Sequence, residues 1–392
     1  MKILLFTAAL FCFAQCNKGS TPEDPNNTST PKLVWRKPLT DVLSLTLNPF
    51  IVGNKIIYSK TNGDVKPLVV FDKNTGDRLW EWSDFQGTSK RFYDEFYTSN
   101  NVLAATSGAK VYGIDLTTGK TNWVSNSPET GSNDLGGIGS HVFHLQKATV
   151  NGKLNTSLKD IDINSGAEKT LWQFTTNDDF QPGFDKPLSI VDSKGDTLLY
   201  FVLGGYTYLP KDSARWQMVC YNLSKKQQQY QTTFYYGIYR GGGGAPVIAN
   251  GKIYVTMGSY VMCLNQSDGK FLWETPRQQN NRIGFLTIED NKIFVCNESK
   301  GVLCFNADTG NLIWENAETG SFSSRIAYLN GVVYFTNYGD GYLHAFEANT
   351  GKRLLKYSLS TEGFQYVLTL DKQTKRLYLS TDKDAVCLET IR

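Results

Sequence analysis

The chain has 392 residues, of which 40% are hydrophobic, 13% aromatic and 20% charged, with a formal net charge of +3. This is a globular composition, and the near-balanced charge, with no dense basic stripe, gives no footing for a nucleic-acid partner. Three histidines and seven cysteines, none in a set with metal-ligand spacing, give no support for a zinc site.

The chain opens with Lys2 and an apolar run over residues 3–14. That run is too short for a permanent membrane span and reads as an export signal. Cys16 ends it, and a polar stretch rich in Pro, Ser, Thr and Asn fills residues 17–31. This arrangement resembles the start of a bacterial lipoprotein. The resemblance implies a signal peptide over residues 1–15, lipidation at Cys16 and a flexible tether over 16–31. Gln15 departs from the small residue usual at that place, and cleavage after Ala14 to a free secreted protein is the alternative.

Beyond the tether a phrase keeps returning. Phe71-Asp72-Lys73-Asn74-Thr75-Gly76-Asp77-Arg78-Leu79-Trp80 reappears as Ile114-Asp115-Leu116-Thr117-Thr118-Gly119-Lys120-Thr121-Asn122-Trp123. It returns around Gly269 with Trp273, Gly310 with Trp314, and Gly351 with Leu355. Neighbouring copies lie roughly 41 to 43 residues apart, a period typical of propellers and solenoids. Each unit breaks into four short runs rich in Val, Ile, Tyr and Phe, separated by Gly, Asn or Asp turns. In the fifth these are 245–249, 252–257, 260–265 and 270–275. The Thr-Gly pair predicts a turn with a residue at positive φ between third and fourth strands. No amphipathic helix separates the strands, which argues against an α/β fold.

Third strands are predicted near residues 68–72, 110–115, 158–163, 217–222, 260–265, 302–306, 342–346 and 384–388. Fourth strands follow the first seven, ending at Trp80, Trp123, Trp172, Tyr230, Trp273, Trp314 and Leu355. The eighth unit stops before its own fourth strand, and Leu33-Val34-Trp35-Arg36 reads as a fourth strand with nothing before it. The expectation is all-β: an eight-bladed propeller of four-stranded blades over residues 32–392, its last blade closed by the N-terminal strand. Seven blades is the alternative. The fourth unit lacks the Thr-Gly and the Trp and carries extra sequence over 204–214. Trp35, Trp80, Trp123, Trp172, Trp273 and Trp314 are assigned to docking adjacent blades.

Five cysteines follow the tether: Cys220, Cys263, Cys296, Cys304 and Cys387. All but Cys296 occupy one repeat position, which Ala345 fills in the seventh unit, so that position reads as a small packed site. Equivalent positions in adjacent blades lie too far apart for a disulfide. A Cys296–Cys304 pair across one hairpin is left open.

The Asp-x-x-Thr-Gly-x-x-x-Trp repeat, preceded by strands such as Gly341-Tyr342-Leu343-His344-Ala345-Phe346, resembles the PQQ-like (quinoprotein dehydrogenase-like) propeller repeat. Two branches share it. The dehydrogenase branch implies PQQ on the axis with calcium and a catalytic Asp. The chain has no vicinal Cys-Cys pair and little sequence beyond the blades, and Asp94-Glu95 and Asp178-Asp179 match no ligand motif. The second branch, BamB-type lipoproteins of outer-membrane β-barrel assembly, is non-enzymatic and agrees in size, blade count and lipoprotein-type start. The resulting expectation is a monomeric cell-envelope lipoprotein, anchored to a membrane through its lipid, without catalytic residues, metal or cofactor, that binds envelope proteins through its loop face. A glycan-binding surface protein and a PQQ- and calcium-dependent alcohol or sugar dehydrogenase are the alternatives.

The longest connections on one face are 83–91, 125–136, 175–185, 204–214 and 234–244, all in the first half of the ring, so that face is expected to be raised on one side. Tyr235, Tyr236, Tyr239 and Arg240, followed by four glycines, make the richest of them, with Tyr206 and Tyr208 on the neighbouring insertion. Arg282 and Arg325 precede first strands and join Arg240 as candidates for a basic patch at the pore mouth. Solvated or internally paired arginines, and tyrosines buried as strand core, are the plainer readings.

Overall fold

The structure is a computed structural model. It describes residues 30–39, 47–59, 67–86, 96–107, 110–125, 130–150, 153–175, 183–184, 186–207, 213–237, 245–276, 283–297, 301–319, 324–337, 340–359 and 364–392. These residues form eight antiparallel sheets arranged as a β-propeller. The eight-bladed expectation holds and the seven-bladed alternative falls.

Blade 1 runs from strand Phe50–Val52 to Arg78–Trp82, blade 2 from Phe96–Ser99 to Thr121–Val124 and blade 3 from Thr130–Ile138 to Glu168–Thr175. Blade 4 runs from Leu188–Val191 to Gln227–Gly237 and blade 5 from Val247–Ala249 to Phe271–Glu274. Blade 6 runs from Ile283–Glu289 to Leu312–Asn316 and blade 7 from Ala327–Leu329 to Arg353–Tyr357. Blade 8 takes Phe364–Asp371, Arg376–Thr381 and Asp384–Glu389 from the end of the chain and Leu33–Pro38 from its beginning. Trp35 pairs with Cys387 and Pro38 with Asp384. The Arg36 guanidinium binds Asp384 at 2.5 Å, and the Leu39 amide donates to the Lys383 carbonyl at 2.7 Å.

The inner strands read as continuous apolar runs because both of their faces are buried. Strand side chains alternate between faces. In blade 1, Ile56 and Tyr58 therefore pack toward blade 8 while Ile57 packs toward blade 2. The core is accordingly divided into eight layers, one per seam. They include the layer joining blades 7 and 8 and the closing layer that packs Trp35, Tyr378 and Cys387 on Val69 and Phe71.

The repeated phrase builds one local device. In blade 1 the Asp72 carboxylate accepts from the amides of Asn74 and Thr75 at 2.8 and 3.0 Å, and the Gly76 amide closes the turn on the Asp72 carbonyl at 2.9 Å. Gly76 lies at φ +73°, where a glycine carries no steric cost. It has a second reason to be glycine. A Cβ there would lie 2.7 Å from the Trp35 ring, whose Nε1 donates to the Lys73 carbonyl at 3.0 Å. The same pairing joins Trp80 to Gly119, Trp123 to Gly166, Tyr230 to Gly269, Trp273 to Gly310 and Trp314 to Gly351.

Candidate functional site

Two departures from the regular ring stand out, and both involve blades 3 and 4. The first is height. Inner strands in most blades have five or six residues, such as Lys55–Ser59 and Lys110–Asp115. In blade 3 they are His141–Val150 and Lys153–Asp162, of ten residues each. In blade 4 they are Thr197–Thr207 and Ser213–Asn222, of eleven and ten. At about 3.4 Å per residue these blades rise roughly 15 Å above their neighbours on the face where second strands turn into third. The raised side was expected, but as loops. Residues 204–207, 213–214 and 234–237 belong to paired strands instead, as do 130–136. Backbone pairing continues there past the hydrophobic core, through sequence that looks like loop.

This wall organises three of the tyrosines. Tyr206 pairs with Ala214, and Ala214 pairs with Tyr236, so both tyrosines share one row of blade 4, and Tyr235 pairs with Arg215 in the adjacent row. Just below, Trp216 is buried over Gly204, where a Cβ would lie 1.9 Å from its ring. Tyr208, Tyr239, Arg240 and Arg282 lie outside the described residues, as do Cys16, Asp94-Glu95 and Asp178-Asp179. Arg325 sits three blades away from the wall. Its guanidinium covers the exposed Phe285 ring at 4.4 Å, linking the segment before the first strand of blade 7 to the first strand of blade 6. The structure therefore does not bring Arg325 to the tyrosines.

The second departure is a cavity of about 560 Å³ on the opposite face, at the seam between blades 3 and 4. Ile138, Leu171 and Leu223 supply apolar wall, and Lys169 and Lys226 supply cations. The Asp160 carboxylate, also lining it, is almost fully buried and held at 3.0 Å by both His141 Nδ1 and Lys169 Nζ. Sequence reasoning missed this place. Its signal was the loss of the Thr-Gly pair in the fourth unit while the preceding blade kept Trp172.

The other two histidines and the cysteines are enclosed in the fold. His144 is fully buried, and burial, then the nearby Lys159, pushes its pKa down to about 4. His344 is buried on Phe335 and bonded through Nε2 to Asp340 at 3.1 Å. All five cysteines of the described residues are free and buried, so Cys296 and Cys304 are not bonded. Burial holds the thiols of Cys220 and Cys263 up at about 11, and those of Cys304 and Cys387 at about 12, which keeps them protonated. Among the described residues no three His, Cys, Asp or Glu side chains converge as a metal site.

A ring of eight blades, four-stranded apart from the short extra strand Gly183–Phe184 in blade 4, docked ring-on-glycine at six seams and stitched by its N-terminal strand, defines a PQQ-like β-propeller. The chain belongs to the family described as "Outer membrane protein assembly factor BamB", whose profile matches residues 26–153 and 154–388. Among solved structures it is similar to BamB from Moraxella catarrhalis, with 15% identity over 92% of this chain and 100% of that one, at a TM-score of 0.63. It is also similar to a europium-containing methanol dehydrogenase, with 12% identity over 90% of this chain and 85% of that one, at a TM-score of 0.67. A quinohemoprotein alcohol dehydrogenase from Comamonas testosteroni follows, with 12% identity over 93% and 78% and a TM-score of 0.62. Comparison with curated proteins gave no match. At these identities the structural likeness shows the fold alone.

Proposed function

We propose that the chain is an envelope lipoprotein that binds a protein partner on the raised face of blades 3 and 4 and carries out no chemistry. Membership of the BamB family supports the envelope setting, and lipidation at Cys16 is part of the proposal. The observation that carries the binding face is the strand wall whose backbone register sets Tyr206 and Tyr236 in one row. A paired strand holds such residues at lower entropic cost than a loose loop, and tyrosines contribute contact area with few rotors. Monomeric behaviour and the absence of a cofactor belong to the same proposal.

The dehydrogenase reading has one observation in its favour, the shared fold with the two alcohol-oxidising enzymes. One set of experiments separates the readings. Replacing Tyr235, Tyr236, Tyr239 and Arg240 together is expected to abolish capture of the partner by crosslinking pull-down and leave the melting temperature unchanged. Undiminished capture moves the interface elsewhere. PQQ and calcium added to the pure protein are expected to give no dye-linked oxidation of alcohols or sugars, and a sustained rate overturns the non-enzymatic reading.

A further inference from the structure

We infer that the cavity between blades 3 and 4 is a binding site for a small aromatic carboxylate. The argument starts from a mismatch in the repeat. At six seams the turn glycine of one blade lies under an aromatic ring of the preceding blade, so close that a Cβ would come within 2.4–2.7 Å of that ring. In blade 4 the fourth residue after the turn's leading side chain, Asn222, is Lys226, which stands in the left-handed region at φ 54°. Blade 8 has no such turn, because its third strand, Asp384–Glu389, is paired with the N-terminal strand, and the preceding blade carries Leu355, 1% exposed, in place of a Trp. Blade 3 made no such exchange and kept Trp172.

A Cβ at Lys226 bars Trp172 from the usual docking. The indole lies against Phe201 at 5.4 Å, and its Nε1 donates to Gln228 Oε1 at 3.3 Å. At four seams the indole N–H reaches a carbonyl three residues before the glycine: Lys73, Leu116, Ile163 or Ala348. The corresponding residue here is Leu223, a cavity wall. The space left open is thus indole-like in chemistry, with apolar sides and a carbonyl at the position that elsewhere accepts a ring N–H. Its volume falls in the range of small-molecule sites.

Charge sets the rest of the ligand. Asp160 is already paired with Lys169 and bonded to His141. The Lys226 ammonium has no hydrogen-bond or ion-pair partner among the described residues, so it is the cation left for an anion. A non-glycine residue held at positive φ costs stability. Both the strain and the open seam are therefore retained at one point that faces a cavity.

The test uses the whole protein and isothermal titration with indole-3-acetate, indole and acetate. Indole-3-acetate is expected to bind at least tenfold more tightly than either fragment. Lys226→Gly is expected to raise the melting temperature and abolish binding, because Trp172 can then dock and fill the space. Lys226→Asn, which keeps the left-handed turn without the charge, is expected to weaken indole-3-acetate at least tenfold and leave indole unchanged. No detectable binding, binding no tighter than acetate, or binding unchanged in Lys226→Gly overturns the inference. Partner capture through the opposite face should be intact in both variants, which separates this site from the proposed function.

Discussion

At the scale of single residues the repeat is a set of interlocking constraints. Gly119 and Gly251 have nearly the same backbone, at φ +69° and +72°. A Cβ at Gly119 would lie 2.7 Å from the Trp80 ring, whereas at Gly251 nothing lies within 4 Å. Gly251→Ala is therefore expected to cost about 1 kcal/mol, the backbone penalty alone. Gly119→Ala is expected to cost about 1–3 kcal/mol more, from the displaced indole. Urea denaturation of the two variants measures the difference, and equal losses would remove the docking argument. The turn carboxylates make a second prediction. The amide of Thr118, against burial, and then the hydroxyl of Thr118 and the amide of Thr117 hold Asp115 below the ordinary carboxylate value of 3.8. Asp162 is lowered in the same way, led by the Ser165 hydroxyl. Burial acts first on Asp72, in the opposite sense, and the amides of Thr75 and Asn74 outweigh it. A pKa lower in the folded than in the unfolded chain adds stability above the unfolded value, and that stability is lost as pH falls through the folded one. Stability should thus fall below about pH 4. Asn265 and Asn306 already make the same turn without a charge. Changing the three aspartates to asparagine should therefore preserve the fold at pH 7 and flatten the acid limb of a pH-dependent denaturation series.

At the scale of strands and blades, the closing segment carries the most. Residues 33–38 complete blade 8, and Trp35 packs between Phe71 and Tyr378. The seam is reinforced by the buried pair of Lys73 with Asp371 at 2.7 Å; burial pushes the carboxyl up, and the bonds from Lys73 and Thr374 together outweigh it and hold the carboxyl low. Removing residues 1–31 is expected to leave the denaturation midpoint unchanged. Removing residues 1–38 is expected to lower it sharply and broaden the transition, because an apolar seam and a strand edge open together. Trp35→Ala alone is expected to cost about 3–5 kcal/mol. Calorimetry of the two truncations is the check, and equal stability would contradict the closure. Most of this level was legible in the sequence. The blade count, the borrowed strand and third strands such as Leu68–Asp72 and Tyr260–Asn265 fall where expected, because buried inner strands leave unbroken apolar runs between turn residues. The upper strands of blades 3 and 4 were not legible. Thr130-Gly131-Ser132-Asn133 and Gly204-Gly205 carry no apolar alternation, and backbone pairing beyond a core leaves no signature in composition. The Lys226 cavity was half legible: the missing Thr-Gly was visible, but its consequence depends on Trp172 from another blade.

At the scale of the whole molecule, a ring with its core divided among eight seams has little freedom to vary inside and much at its two faces. One face is raised by strands on one side, and the other holds the mismatched seam between blades 3 and 4. The inner Cys, Tyr and Trp positions pack at the seams between blades, and the chain belongs to the family described as "Outer membrane protein assembly factor BamB". The proposed partner-binding role is tested most directly by placing a photo-crosslinking residue in intact cells at Tyr206, at Tyr236 and, as the opposite-face comparison, at the exposed turn residue Asn250. The account predicts a discrete protein adduct from Tyr206 and Tyr236 and none from Asn250. An adduct from Asn250 with none from the two tyrosine positions would contradict it.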